Sequence, residues 1–149
     1  MKTIQLAGAV AALLLANAAY AQKLPQAQVP SVIVNSFQKT FPKVMDVEWN
    51  KKGELYKVEF ETGLQHKNHD AWYNSSGNLV KHTEELTSSE LPAQVQTKIN
   101  SDYKDYKLDD IEKITEGGKE TYQVELKKRP EQWKIVFDTT GNILNKKAD

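Results

Sequence analysis

The residues best suited to chemistry are the three histidines. His66 and His69 stand with Asp70 in the run HKNHD, and His82 follows a short way on. Imidazoles and a carboxylate in one neighbourhood suit a zinc ion, which needs three or four ligands converging on one point. Along an extended chain, however, His69 and Asp70 point to opposite faces, and His66 falls in the loop before the strand. The run therefore reads as a polar loop with Asp70 paired to His82 across two strands. Nucleophilic catalysis has no support: the chain has no Cys, its serines lie at helix starts and turn tips, and no G-x-S-x-G elbow occurs. Glu59 with Glu61, and Asp109 with Asp110, read as solvated positions and not as an acid–base couple of the glycosidase kind. Gly117-Gly118 lies between strands, so it is no phosphate cradle. The run DTTGN at 138–142 has the look of a calcium loop but lacks its further acidic positions and terminal Glu. No reaction, cofactor or bound metal is expected.

The N-terminus carries an address. Lys2 supplies a positive start, Ile4 to Ala16 is apolar apart from Gln5 and Gly8, and Ala19-Tyr20-Ala21 has the small-x-small pattern of a signal-peptidase site. Residues 1–21 are expected to be removed and the product to be periplasmic or secreted. No Cys is available for lipid attachment or disulfides, so the core must supply the stability in an oxidising compartment. Without Lys2, 19 of the 20 basic side chains face 20 acidic ones, a formal −1, with the signs interspersed. Nucleic acid and anionic membrane are not expected as partners on that basis, and with no second hydrophobic segment after residue 21 no membrane insertion is expected. A soluble monomer is expected.

The elements repeat. Gly77 and Gly141 are 64 positions apart, Pro30 and Pro92 62, and Tyr56 and Tyr122 66, the drift expected of diverged copies with unequal loops. Residues 22–27 read as a short linker, 28–86 as one repeat and 87–149 as a second. Ile33, Phe37 and Phe41 form one helical stripe, and Leu91, Val95 and Ile99 another, with Pro30 and Pro92 in the first turns. The period then becomes two. Met45, Val47 and Trp49 are expected opposite Phe60, Val58 and Tyr56 around a loop at Lys52-Gly53, all six on one face. In the second repeat Tyr122, Val124 and Leu126 match the later strand, while the hairpin at Gly117-Gly118 is expected to be longer and its register stays open.

Asn74-Ser75-Ser76-Gly77 and Asp138-Thr139-Thr140-Gly141 each start with Asn or Asp and end with Gly. Each predicts a type I turn with Gly left-handed and a bulge at the next strand. The register then sets Tyr73 opposite Leu79, Trp72 opposite Val80, Asp70 opposite His82, Phe137 opposite Ile143 and Val136 opposite Leu144. Trp72 and Val80, with Val136 and Leu144, fall on the face away from the core. Either they form an exposed apolar patch or a loop or the other copy covers them. Trp72, Val80, Asp70, His82, Val136 and Leu144 are the candidate binding-surface residues.

These residues together carry a resemblance: Val29-Pro30 ahead of Phe37 and Phe41-Pro42, Val47 and Trp49, Tyr56 with Val58-Glu59-Phe60, and Tyr73, Gly77 and Leu79. The pattern resembles the PepSY-like family of β-lactamase-inhibitor-like periplasmic proteins over nearly all of the chain after residue 21. The resemblance implies an α+β fold of two tandem repeats, each a helix plus a four-stranded antiparallel sheet, with the sheets side by side and the helices on one face. It brings no catalytic residues. The β-lactamase inhibitor protein of similar fold grips its enzyme with the open sheet face, but carries disulfides this chain lacks. Two functions follow as expectations: a non-enzymatic module binding an envelope protein or peptide through the open face, or a sequestering protein holding a small molecule or metal between the copies.

Overall fold

Pro30 and Pro92 each stand at the entrance to a helix, with φ −52° at both. Proline's fixed φ and missing N–H suit that position, where the amide has no partner inside the helix. The computed structural model describes residues 22–149; the expected leader and its cleavage site at Ala19–Ala21 lie outside the described residues. Helix α1 spans Ser31–Thr40 and α2 spans Ala93–Asp102. As the spacing predicts, Ile33 and Phe37 are buried along α1, and Val95 and Ile99 along α2 with Leu91 ahead of it.

Strand β1 is Gln22–Leu24. After α1 come β2 (Met45–Lys52), β3 (Leu55–Thr62), β4 (Lys67–Tyr73) and β5 (Leu79–Glu85); after α2 come β6 (Lys107–Glu116), β7 (Lys119–Lys128), β8 (Glu131–Phe137) and β9 (Ile143–Ala148). The expectation of two four-stranded sheets side by side is corrected here in one respect. All nine strands form one antiparallel sheet in chain order. The join is β5 with β6, from Lys81 opposite Glu116 to Glu85 opposite Glu112. Unpaired edge strands leave rows of amides and carbonyls unsatisfied, and pairing the two inner edges removes both rows. The expected linker is also corrected: Gln22–Leu24 pairs with β2, Leu24 opposite Trp49.

Two cores share this sheet. One gathers Ile33, Phe37, Trp49, Val58, Phe60 and Tyr73; the other gathers Val95, Ile99, Val124, Leu126, Ile135 and Phe137. In the first, the Phe37 ring meets Trp49 edge-on at 5.3 Å and Phe60 at 5.1 Å, arrangements that aromatic quadrupoles favour.

Bulges and loop positions account for the register errors. Asp46 takes φ 51° and the β2–β3 register shifts between Met45 and Glu48. Met45 and Val47 are consequently exposed instead of joining the core, whereas Trp49, on the hairpin side of the bulge, lies opposite Val58 because the loop falls one residue later than expected. The hairpin loop is Gly53-Glu54, since Lys52 pairs with Leu55. The hairpin at Gly117-Gly118 is no longer than the first: Glu116 pairs with Lys119, and both glycines take positive φ as a two-residue hairpin requires.

The two Gly-Asn turns form as expected. Asn74 Oδ1 accepts from the Ser76 and Asn78 amides at 3.1 and 3.0 Å, and Asp138 Oδ1 from those of Thr140 and Asn142, each at 2.9 Å. Gly77 and Gly141 have φ 84° and 86°. Each glycine also presses on a helix. A Cβ would lie 3.0 Å from the Val32 carbonyl at Gly77 and 2.8 Å from that of Gln94 at Gly141.

Candidate functional site

Side chains alternate across a sheet, so the cross-strand pairs define two faces. Val58, Ala71 and His82 lie on the helix side in one half, and Ile111, Val124 and Ile135 in the other. On the opposite face Lys57, Trp72 and Lys81 form one row across neighbouring strands, Glu59, Asp70, Thr83 and Ile114 a second, and Glu85, Glu112, Gln123 and Val136 a third. Neither α1 nor α2 packs on that face, because both put their apolar stripes into the helix-side cores.

Trp72 is on the open face, as expected. Its ring lies between two ammonium groups, with Lys57 Nζ at 5.3 Å and Lys81 Nζ at 4.8 Å from the centroid. Val80 is not its partner. The register shifts between Trp72 and Tyr73, so Tyr73 faces Leu79, Val80 becomes the extra residue and Lys81 lies opposite Trp72. The same shift in β8–β9 leaves Phe137 opposite Ile143 but places Asn145, not Leu144, opposite Val136. Leu144 is exposed and Val136 half-buried on the open face.

The Asp70–His82 pair is corrected by the same bulge. Asp70 lies opposite Thr83, and its carboxylate meets Lys57 Nζ at 2.9 Å. Lys57 also reaches Glu59 at 2.6 Å. Burial alone would lower the Lys57 pKa, but these two carboxylates hold it above the ordinary lysine range. His82 turns to the helix side, where its Nε2 is 3.0 Å from His69 Nδ1 and the two rings stack. Thr62 Oγ1 is 2.7 Å from His69 Nε2. With both rings neutral, one facing nitrogen donates and the other accepts. Burial holds both imidazoles below the ordinary histidine range, and at His82 the charge of a protonated His69 would lower it further. His66 stands apart, 2.7 Å from Glu61 Oε2.

The centre of the open face is a cleft of about 170 Å³ lined by Asp70, Thr83, Glu85, Asp110 and Glu112 among others. Thr83 is buried. Burial, then the charges of Asp70 and Asp110, raises the Glu112 pKa. A carboxyl–carboxyl contact with Glu125, then burial, raises that of Asp110. Neither Asp110 nor Glu112 forms an ion pair among the described residues, whereas Glu125 is held by Lys127 at 3.1 Å. Such a surface can stack a planar or aliphatic group on Trp72 and draw a cation to the carboxylates farther along the same face.

Thr83 and Glu112 were absent from the sequence reading, and Asp110 entered it only as a solvated position beside Asp109. One signal was available: Leu108 and Ile111 are three apart, which breaks the period of two at Asp110, the residue that takes φ 33° in a bulge.

The family model described as "putative beta-lactamase-inhibitor-like, PepSY-like" matches residues 17–67 and 54–145. A BLIP-like protein of Bacteroides fragilis superposes with TM-score 0.70 at 20% identity, over 84% of this chain and 87% of that one. A protein of Bacteroides eggerthii described as "putative periplasmic" superposes with TM-score 0.72 at 15% identity, over 80% and 88%. These likenesses concern the fold. No curated protein matches the chain. No helix among the described residues is long and apolar enough to cross a membrane. On the extent of the family match, the chain belongs to the PepSY-like, β-lactamase-inhibitor-like family.

Proposed function

We propose that the protein is an exported, non-enzymatic binding module whose open sheet face takes a basic segment of an envelope protein or peptide. The observation that carries this reading is the central cleft, where Asp110 and Glu112 lie without an ammonium partner among the described residues, on the same open face as half-buried Trp72 two rows away. A lysine or arginine side chain entering there would relieve carboxylate repulsion in a partly desolvated site, where charge pairs act more strongly than in bulk water. Trp72 would supply area at little entropic cost. The two halves are read as diverged copies of one helix-plus-four-strand unit, which together make a face broader than either alone. Export is supported by the leader pattern and by the periplasmic description of a protein with the same fold.

The test is to pan the immobilised protein against a random peptide display library. Peptides rich in Lys or Arg are expected, with binding lost in Glu112→Lys and weakened in Trp72→Ala. Enrichment of acidic peptides, or basic peptides that bind both variants as well as the parent, would sink the reading.

A further inference from the structure

Asp46, Glu61 and His66 each bring a ligand atom within 4.8 Å of the other two at the β2–β3 end of the sheet. Three separate features assemble them: the β2 bulge presents Asp46, Glu61 comes from β3 opposite Met45, and His66 comes from the turn ahead of β4. Among the described residues no Lys or Arg pairs with Asp46, and the salt-bridge partner of Glu61 is His66.

The second half shows what balances charge at the corresponding place. Aligning Tyr56-Val58-Phe60 with Tyr122-Val124-Leu126 puts Lys127 where the first half has Glu61. The Lys127 ammonium lies 2.7 Å from Asp109 and 3.1 Å from Glu125. A cation belonging to the chain therefore pairs with Asp109 and Glu125 beside that bulge, though not with Asp110 within it. In the first half Glu61 stands where that ammonium would be, a second potential ligand group beside Asp46, and His66 joins them as the third.

We propose that Asp46, Glu61 and His66 bind a divalent first-row transition metal ion of the Zn²⁺ type. One imidazole and two carboxylates make a donor set that zinc accepts, whereas calcium and magnesium are served by oxygen donors alone. Bonds of about 2.1 Å require ligand atoms within roughly 4 Å of one another, a closure that rotation of these side chains can supply. Three protein ligands leave a coordination position for water or for a donor from another molecule. The site is independent of the peptide-binding reading.

Isothermal titration of the untagged protein with ZnCl₂ tests it. We expect one equivalent to bind, His66→Ala to weaken binding at least tenfold, and Glu61→Lys, which copies the second half, to abolish it. Thermal melts without metal check that both variants fold. Absence of saturable binding would overturn the proposal. So would affinity unchanged in either folded variant, which would place the metal elsewhere, for instance at His69 and His82.

Discussion

The two halves use one plan and fill it differently. The first core is aromatic, with Phe37, Trp49, Phe60 and Tyr73 interlocked, whereas the second is mainly aliphatic, with Val95, Ile99, Val124, Leu126 and Ile135 around Phe137 and Tyr122. Both preserve the proline at the helix entrance, the Gly-Asn turn pressed on the helix, and an Asp at positive φ in a bulge. The difference teaches which features belong to the scaffold. Caps, turns and bulges recur because the backbone geometry needs them. The histidines, Trp72 and the Asp46–Glu61–His66 group occur in the first half alone, so the plan does not require them.

The largest effect is expected in the aromatic core. Phe37→Ala should cost about 3–5 kcal/mol, the sum of lost burial and a residual cavity. Because β5 and β6 weld the halves into one sheet, chemical denaturation should still show one transition, followed alike by tryptophans of either half. A second transition, with the α2 half melting as in the parent, would mean that the halves unfold independently.

Next in size are the turn glycines. Gly141→Ala combines left-handed strain with a Cβ driven against the Gln94 carbonyl, and should cost about 2–4 kcal/mol. Gly77→Ala should cost somewhat less, since its carbonyl neighbour is slightly farther away. Equal stability of parent and Gly141→Ala would show that the turn is not clamped to the helix.

Trp72 and Trp49 contrast the two faces within one half. Trp49 is 3% exposed in the core, and Trp49→Ala should cost about 3–5 kcal/mol. Trp72 packs between two lysine ammonium groups on the open face, and Trp72→Ala should cost about 1–2 kcal/mol. Equal losses in urea denaturation would contradict the facial assignment.

The mildest test is pH. His69 and His82 are held below the ordinary value of 6.5 in the folded chain. The unfolded chain therefore binds more protons as pH falls below about 6.5, and stability declines in that direction. The loss is complete once pH passes below the folded values. Glu84, which Lys113 holds below the ordinary carboxylate range despite its burial, adds a loss that begins below about pH 4.5. The urea midpoint should be lower at pH 5.5 than at pH 8, with a flatter dependence in His82→Gln. An equal midpoint at both values would show that the pair is not held neutral.

Much of this architecture was legible because it is local. Helical spacing gave Ile33-Phe37 and Val95-Ile99, and Asn or Asp with Gly three residues on gave both turns. What escaped was relational. A one-residue shift exchanges the faces of a strand, so the bulge beside Tyr73 moved His82 to the helix side and separated it from Asp70. The join of β5 to β6 has no sequence signal, because Lys81 to Glu85 is a polar run without apolar alternation. The three residues of β1 are too short to show a period. The Asp46–Glu61–His66 group escaped because Asp46 lies far along the chain from HKNHD and only the bulge brings it there.

The central claim, that the open sheet face is the binding surface, is tested most directly by site-specific photo-crosslinking in the envelope. A photoreactive residue at Gln123, in the row of Glu112 on the open face, is compared with one at exposed Lys39 on α1. A discrete adduct from position 123 that disappears with Glu112→Lys, and none from position 39, is the predicted result; an adduct from position 39 alone would place the binding surface on the helices and contradict the account.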